Sequence, residues 1–227
     1  MARRPRTALG GLAYHVMNRV SGHQDLFEDV GDYEAFERVL GEARERATMR
    51  VCAYALMPNH FHLVLWPRGD GDLSRFMQWL TMTHTQRWHA HRHNIGHGHL
   101  YQSRFKSFPI QTDEHFLTVC RYVERNALRA RLAERAEDWA WCSLACRVQK
   151  LDKRSALLDD WPVECPRGRR QAVNRPQEEK ELEWLRQCVL RGQPYGDDAW
   201  VRRMAMKLGL ESSLRPVGRP KKAPAKN

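Results

Sequence analysis

Residues 53–67, Ala-Tyr-Ala-Leu-Met-Pro-Asn-His-Phe-His-Leu-Val-Leu-Trp-Pro, constrain the fold more than any other stretch. Two β-forming runs, Met49 to Met57 and His60 onward, are separated only by Pro58-Asn59, and Pro67 ends the second. So tight a connection makes the two strands neighbours and antiparallel. Side chains two apart on a strand share a face, so the His60 and His62 imidazoles leave one side of the sheet while Phe61 enters the other. Two neutral imidazoles held on a strand are a ready pair of metal ligands. Two strand histidines satisfied by their neighbours are the plainer alternative, and the motif alone does not choose.

The rest of the chain supplies partners for this hairpin. Ala13 to Val20 is rich in β-formers, and Ser21-Gly22-His23 turns the chain. Tyr33, Phe36, Val39, Leu40 and Ala43 recur at helical spacing, predicting a helix over 32–47 capped near Asp32. Leu73, Phe76, Met77, Leu80 and Trp88 predict another from Asp72 to about His91, and residues 104–110 read as a strand. Phe116, Leu117, Cys120, Val123 and Ala127 predict a helix from Asp113 to about Ala130. The order β-α-β-β-α-β is the α+β, ferredoxin-like split βαβ pattern: an antiparallel sheet with helices on one face and the other face open to a ligand.

From Asp138 the pattern loosens. Tryptophans 139, 141 and 161 read as aromatic packing on the core, and 166–176 is a basic linker with four arginines. A boundary near residue 165 divides a core unit, 1–165, from an extension, 166–227. Glu178 to Arg191 and Asp197 to Leu208 are predicted helices, with Gly209 as C-cap, and the proline-rich basic tail from Arg215 is too polar to fold alone. A helix-turn-helix and simple docking on the core are both open to these two helices, docking being the commoner outcome.

Lysine and arginine number 38 against 27 acidic residues, a net +11, which points to a polyanionic partner, with nucleic acid ahead of a membrane surface. No segment reaches the ~18 consecutive apolar residues of a spanning helix. The basic N-terminus lacks the apolar run of a secretion signal, and six scattered cysteines form no Cys-x-x-Cys pair, so they read as reduced thiols in a cytoplasm.

Tyr122 and Asn126, four apart on one predicted helix, share a face. This spacing admits a site where the Asn126 carbonyl joins His60 and His62 around a cation and the Tyr122 hydroxyl stands beside it. A phenol is a poor nucleophile unless its proton is withdrawn or its target made more electrophilic, and a divalent ion on a phosphodiester does the second.

Tyr14 to Arg19, Tyr54 to Val64, Gly98 to Lys106, Arg121 to Ala130 and Trp139 to Ser143 together resemble the single-tyrosine members of the HUH endonuclease superfamily. They resemble most the REP-associated tyrosine transposases, as does the segment from Trp200 to Lys222. The resemblance implies Mg2+- or Mn2+-dependent cleavage and rejoining of single-stranded DNA beside hairpin-forming palindromes, through a 5'-phosphotyrosine. It makes Tyr122 the nucleophile and His60, His62 and Asn126 the metal ligands, with residues 1–165 the catalytic domain. It also implies a cytoplasmic, nucleoid-associated protein, monomer or homodimer, with no membrane role. Many insertion-sequence relatives carry Gln where Asn126 stands, which favours the REP-associated branch. Arg125-Asn126-Ala127 departs from the family's Asn-Pro, so the helix is expected to run on. A catalytically idle hairpin DNA- or RNA-binding regulator on the same scaffold is the alternative, and a zinc-stabilised structural module a third reading.

Candidate DNA contacts are Asn18 and Arg19, Arg104 and Lys106 with Tyr101 and Phe105 interleaved, and the stripe Arg121, Arg125 and Arg129. Arg219, in Gly-Arg-Pro-Lys, joins them as the core of a minor-groove hook or as part of a merely basic tail. Six of eleven histidines, at 84, 89, 91, 93, 97 and 99, crowd one region; their spacing fits no closed tetrahedral site, and a polar DNA-facing loop is the better reading.

Overall fold

The structure, a computed structural model, describes residues 8–22, 24–93, 96, 98–149, 154 and 156–215. Strands β1 (Ala13–Arg19), β2 (Met49–Met57), β3 (His60–Pro67) and β4 (Lys106–Ile110) form one antiparallel sheet in the order β2-β3-β1-β4. The elements follow one another along the chain in the expected β-α-β-β-α-β succession of an α+β fold, with the two-residue Pro58-Asn59 turn where the sequence puts it.

Alternation along the strands sorts the side chains into two cores. Phe61, Leu63 and Leu65 of β3 join Tyr14 and Val16 of β1 beneath α1 (Val30–Arg46) and α2 (Asp72–His91). Each such fully buried Leu or Phe contributes about 1.5–3 kcal/mol relative to exposure. The opposite face is not open as expected. Ala13, Val64, Phe108 and Ile110 pack there against α3 (Glu114–Glu124) and α5 (Ser143–Gln149), while α6 (Arg169–Asn174) and α7 (Glu179–Arg191) add Val173, Leu182 and Leu185. The apolar positions that made a helix of 113–130 needed a surface to bury, and the second sheet face supplies it.

Both sheet edges are closed. Beside β2, Leu56 N–H bonds the Trp141 carbonyl at 2.9 Å and Trp139 Nε1 donates to the Leu56 carbonyl at 2.8 Å. Beside β4, Tyr195 exchanges bonds of 2.9 Å with Pro109 and Gln111. Pairing these edges removes a template for edge-to-edge aggregation. The Tyr195 segment links α7 to α8 (Asp198–Leu208), and Gly209, at φ +66, ends α8 as predicted.

Two boundaries differ from expectation. Helix α1 begins at Val30 because Asp29, not Asp32, is its cap: the Asp29 carboxylate accepts from Asp32 N–H at 3.1 Å. Asp32 accepts instead from Glu28 N–H and pairs with Arg92, which holds its carboxyl below the usual range against the opposing effect of burial. Asp29→Ala should cost about 1 kcal/mol in urea unfolding; a change within error would show that the cap contributes nothing. The predicted helix over 113–130 is interrupted for one residue at Arg125, after which α4 (Asn126–Arg129) continues. Arg125 keeps αR geometry and its N–H still bonds the Arg121 carbonyl at 2.9 Å, so the interruption is confined to this one residue. No helix among the described residues is long and apolar enough to cross a membrane. The minor-groove reading of residues 218–221, Arg219 included, lies outside the described residues.

Candidate functional site

His60 and His62 leave β3 on the α3 side of the sheet, their ring centres 4.9 Å apart. His60 Nδ1 lies 2.6 Å from Asn59 Oδ1, an acceptor, so Nδ1 donates and Nε2 keeps its lone pair. His62 Nδ1 lies 2.9 Å from His15 Nε2, and the His15 ring stacks on Phe108 at 4.8 Å. Burial is the main cause that holds these imidazoles neutral at ordinary pH. It pushes His15 down to about 3 and His60 to about 4, helped at His60 by Arg19 and Arg129. His62 is pushed well below its usual value by burial, then by its two histidine neighbours and Arg129.

The last turns of α3 bring Tyr122 over this face. Its ring stands edge-on to His62 at 5.9 Å and 90°, and to His15 at 6.2 Å and 72°. One turn on, Asn126 is buried, and Arg129 binds both: its guanidinium lies 4.3 Å from the Tyr122 ring centre and donates to Asn126 Oδ1 at 2.6 Å. The side chains singled out as His60, His62, Tyr122 and Asn126 thus converge from one strand and one helical segment.

Other candidates fall in different places. Arg19 is exposed and pairs across the sheet with His60, and Lys106 lies opposite Met17 on the same face, so both flank the histidines. Asn18 points to the opposite face, its Oδ1 accepting from Arg19 N–H. With exposed Arg104 it lines a cleft of about 1060 Å³ between α2 and residues 98–105. Tyr101 is buried there, bonded to His84 Nδ1 at 2.7 Å, and Phe105 packs on the α1/α2 core. Arg121 donates to the Arg175 and Pro176 carbonyls, and Arg125 to those of Val173 and Asn174. These two arginines therefore hold the end of α6, where carbonyls lack helical partners, and only Arg129 of the stripe meets Tyr122.

His15 and Asn59 escaped sequence reasoning. Asn59 stands next to the motif, but His15 becomes a neighbour of His62 only once β1 is known to pair with β3. Among the described residues the histidine-rich region forms no metal cluster: His84 is a core side chain, and burial pushes it down to about 3. Asp113, Glu114 and His115 do bring three ligand atoms within 4.8 Å of one another. They sit at the far end of α3, where Asp113 caps the helix by accepting from His115 N–H at 2.9 Å.

A family model described as "Transposase IS200 like" matches residues 8–126, more than half of the chain, and the chain belongs to that family. Among solved structures, a REP-associated tyrosine transposase bound to a REP hairpin aligns with a TM-score of 0.53 at 16% identity, covering 78% of this chain and 99% of that one. A candidate transposase from Deinococcus radiodurans R1 is 17% identical over 54% of this chain and 96% of its own, with a TM-score of 0.37. The first likeness establishes the fold. No curated protein matches the chain.

Proposed function

We propose that this transposase is a single-tyrosine strand transferase of the REP-associated kind, nicking and rejoining single-stranded DNA beside a hairpin. The observation that carries the reading is the Tyr122 ring 5.9 Å from His62, on the face that also holds His60. In the reaction Tyr122 Oη forms a bond to phosphorus and the bond to O3' breaks. The phenol gives up its proton and the leaving oxygen gains one as a 3'-hydroxyl. One phosphodiester replaces another, so a second 3'-hydroxyl can reverse the exchange without an external energy source.

The side chains present fit a divalent cation. His60 and His62 are neutral, and His60 Nε2 is free because Asn59 fixes the other ring nitrogen, as in many metal sites. They would hold Mg2+ or Mn2+ together with Asn126, whose Oδ1 here accepts from Arg129. Once bound, such an ion polarises the phosphoryl oxygens. Tyr122 is oriented by His15 and His62 on one side and Arg129 on the other, while Arg19 and Lys106 offer charge to the strand. Residues 1–165 would carry the chemistry, and 166–227 would form the extension, of which residues 173–195 pack against the sheet and α3.

The test is a denaturing gel for covalent protein–DNA product after incubation with Mn2+ and a pool of single-stranded oligonucleotides, each an imperfect palindrome with randomised flanks. Adduct is expected with Mn2+, and none after chelation or in His60→Ala or His62→Ala. An open catalytic site should lose its metal without unfolding, so chelation should leave the melting temperature unchanged. Adduct in chelated protein would refute the metal role, and failure of the wild type to form any would favour the idle DNA-binding regulator.

A further inference from the structure

We propose that Arg129 grips the phosphate that Tyr122 attacks, an assignment that rests on the strand-transfer reading above. Three observations meet at this side chain. Its guanidinium lies 4.3 Å from the Tyr122 ring centre and donates through Nη2 to Asn126 Oδ1 at 2.6 Å. Its Nη1 is buried with no hydrogen-bond partner, as is Nδ2 of Asn126 beside it, while the guanidinium as a whole also interacts with the Tyr122 hydroxyl. Among the described residues no carboxylate forms an ion pair with it. Glu179 acts on it only at a distance and bonds Arg186 at 2.6 Å.

A largely shielded guanidinium without a counter-ion is destabilising, and the usual remedy is an acidic neighbour. Glu124 takes that part for Arg169, and Glu37 for Arg154. Arg129 has none, and its idle N–H stands beside the nucleophile of a family whose substrate is a phosphodiester. The planar fork of arginine suits a phosphate oxygen. During attack, charge builds on the non-bridging oxygens as the bond to Tyr122 Oη forms and that to O3' breaks. A donor already held beside Tyr122 by Asn126 is placed to meet that charge with no more than a side-chain adjustment. Arg121 and Arg125 cannot substitute while they bond the carbonyls at the end of α6.

The test uses Arg129→Met and Arg129→Lys in the full chain, with two readouts. Without metal or DNA, inorganic phosphate should raise the melting temperature of wild type more than that of Arg129→Met, because the anion binds where the charge stands. In phosphate-free buffer Arg129→Met should melt close to wild type, since it removes an uncompensated charge and keeps the apolar stem over Tyr122. With Mn2+ and the hairpin pool, adduct formation should fall roughly 100- to 1000-fold in Arg129→Met and recover in part in Arg129→Lys. An equal phosphate-linked rise in wild type and Arg129→Met would overturn the proposal, as would a much lower melting temperature, which marks a structural role. Undiminished adduct in Arg129→Met, with wild type active, overturns this assignment alone. Wild type without adduct overturns the strand-transfer reading, and this one with it.

Discussion

Tyr122→Phe should yield no covalent protein–DNA adduct under conditions where wild type accumulates it, with binding to the same hairpin changed at most a few-fold. The substitution removes one oxygen and leaves the ring in its contacts with His15, His62 and Arg129, so the scaffold has little reason to move. An intermediate that is an ester of the phenol cannot form without it, whatever the metal or DNA supplied. The other five tyrosines give no substitute. Tyr14, Tyr33, Tyr54 and Tyr101 lie in the core on the α1/α2 side of the sheet, and Tyr195 is buried beside β4. Tyr33→Phe therefore serves as the control that keeps adduct formation. Mass spectrometry of the digested adduct should find the nucleotide on the peptide containing residue 122. Adduct at wild-type level in Tyr122→Phe would end the assignment.

What could be read from the sequence followed from local geometry. The shared face of His60 and His62 is a consequence of the two-residue period of a strand, and the neighbouring of Tyr122 and Asn126 a consequence of the helical turn, so neither needed the fold. The strand pair around Pro58-Asn59 was legible for the same reason. What was not legible depends on pairing between distant segments. His15 looked like any strand residue until the order β2-β3-β1-β4 set it against His62. Arg121, Arg125 and Arg129 formed one stripe in the sequence. Where residues 173–176 dock then separated the two that bind carbonyls from the one at the tyrosine. The choice between Asp29 and Asp32 as cap was equally out of reach, since both are acidic and three residues apart, and Arg92 decides it by claiming Asp32. The second face is not open because the apolar side of the 114–124 helix needs a surface to bury, and with α1 and α2 on the first face this is the one that remains.

The largest stability effect is expected two residues beyond the nucleophile. Glu124 is fully buried, its Oε1 accepting from Ser143 Oγ at 2.8 Å and its Oε2 from Arg169 Nη2, while the Arg169 guanidinium lies 4.2 Å from the Trp161 ring centre. This carboxylate therefore ties α3 to the start of α5 and the start of α6, fixing the helix that carries Tyr122. Glu124→Ala leaves Arg169 buried without its partner and Ser143 without its acceptor. Removing one member of a buried pair costs about 3–5 kcal/mol. At roughly 2–4 °C per kcal/mol for a chain of this size, the melting temperature should fall by about 6–20 °C. Glu124→Leu combined with Arg169→Met should regain most of that loss, because the charge and its desolvation leave together. Because the double variant restores packing but not the tie between helices, its adduct yield on hairpin DNA should stay below wild type even where its melting temperature matches. Calorimetry of the two single variants and the double variant tests the pair directly. Additive losses would show that Glu124 and Arg169 act independently, and that the orientation of α3 does not depend on their bond.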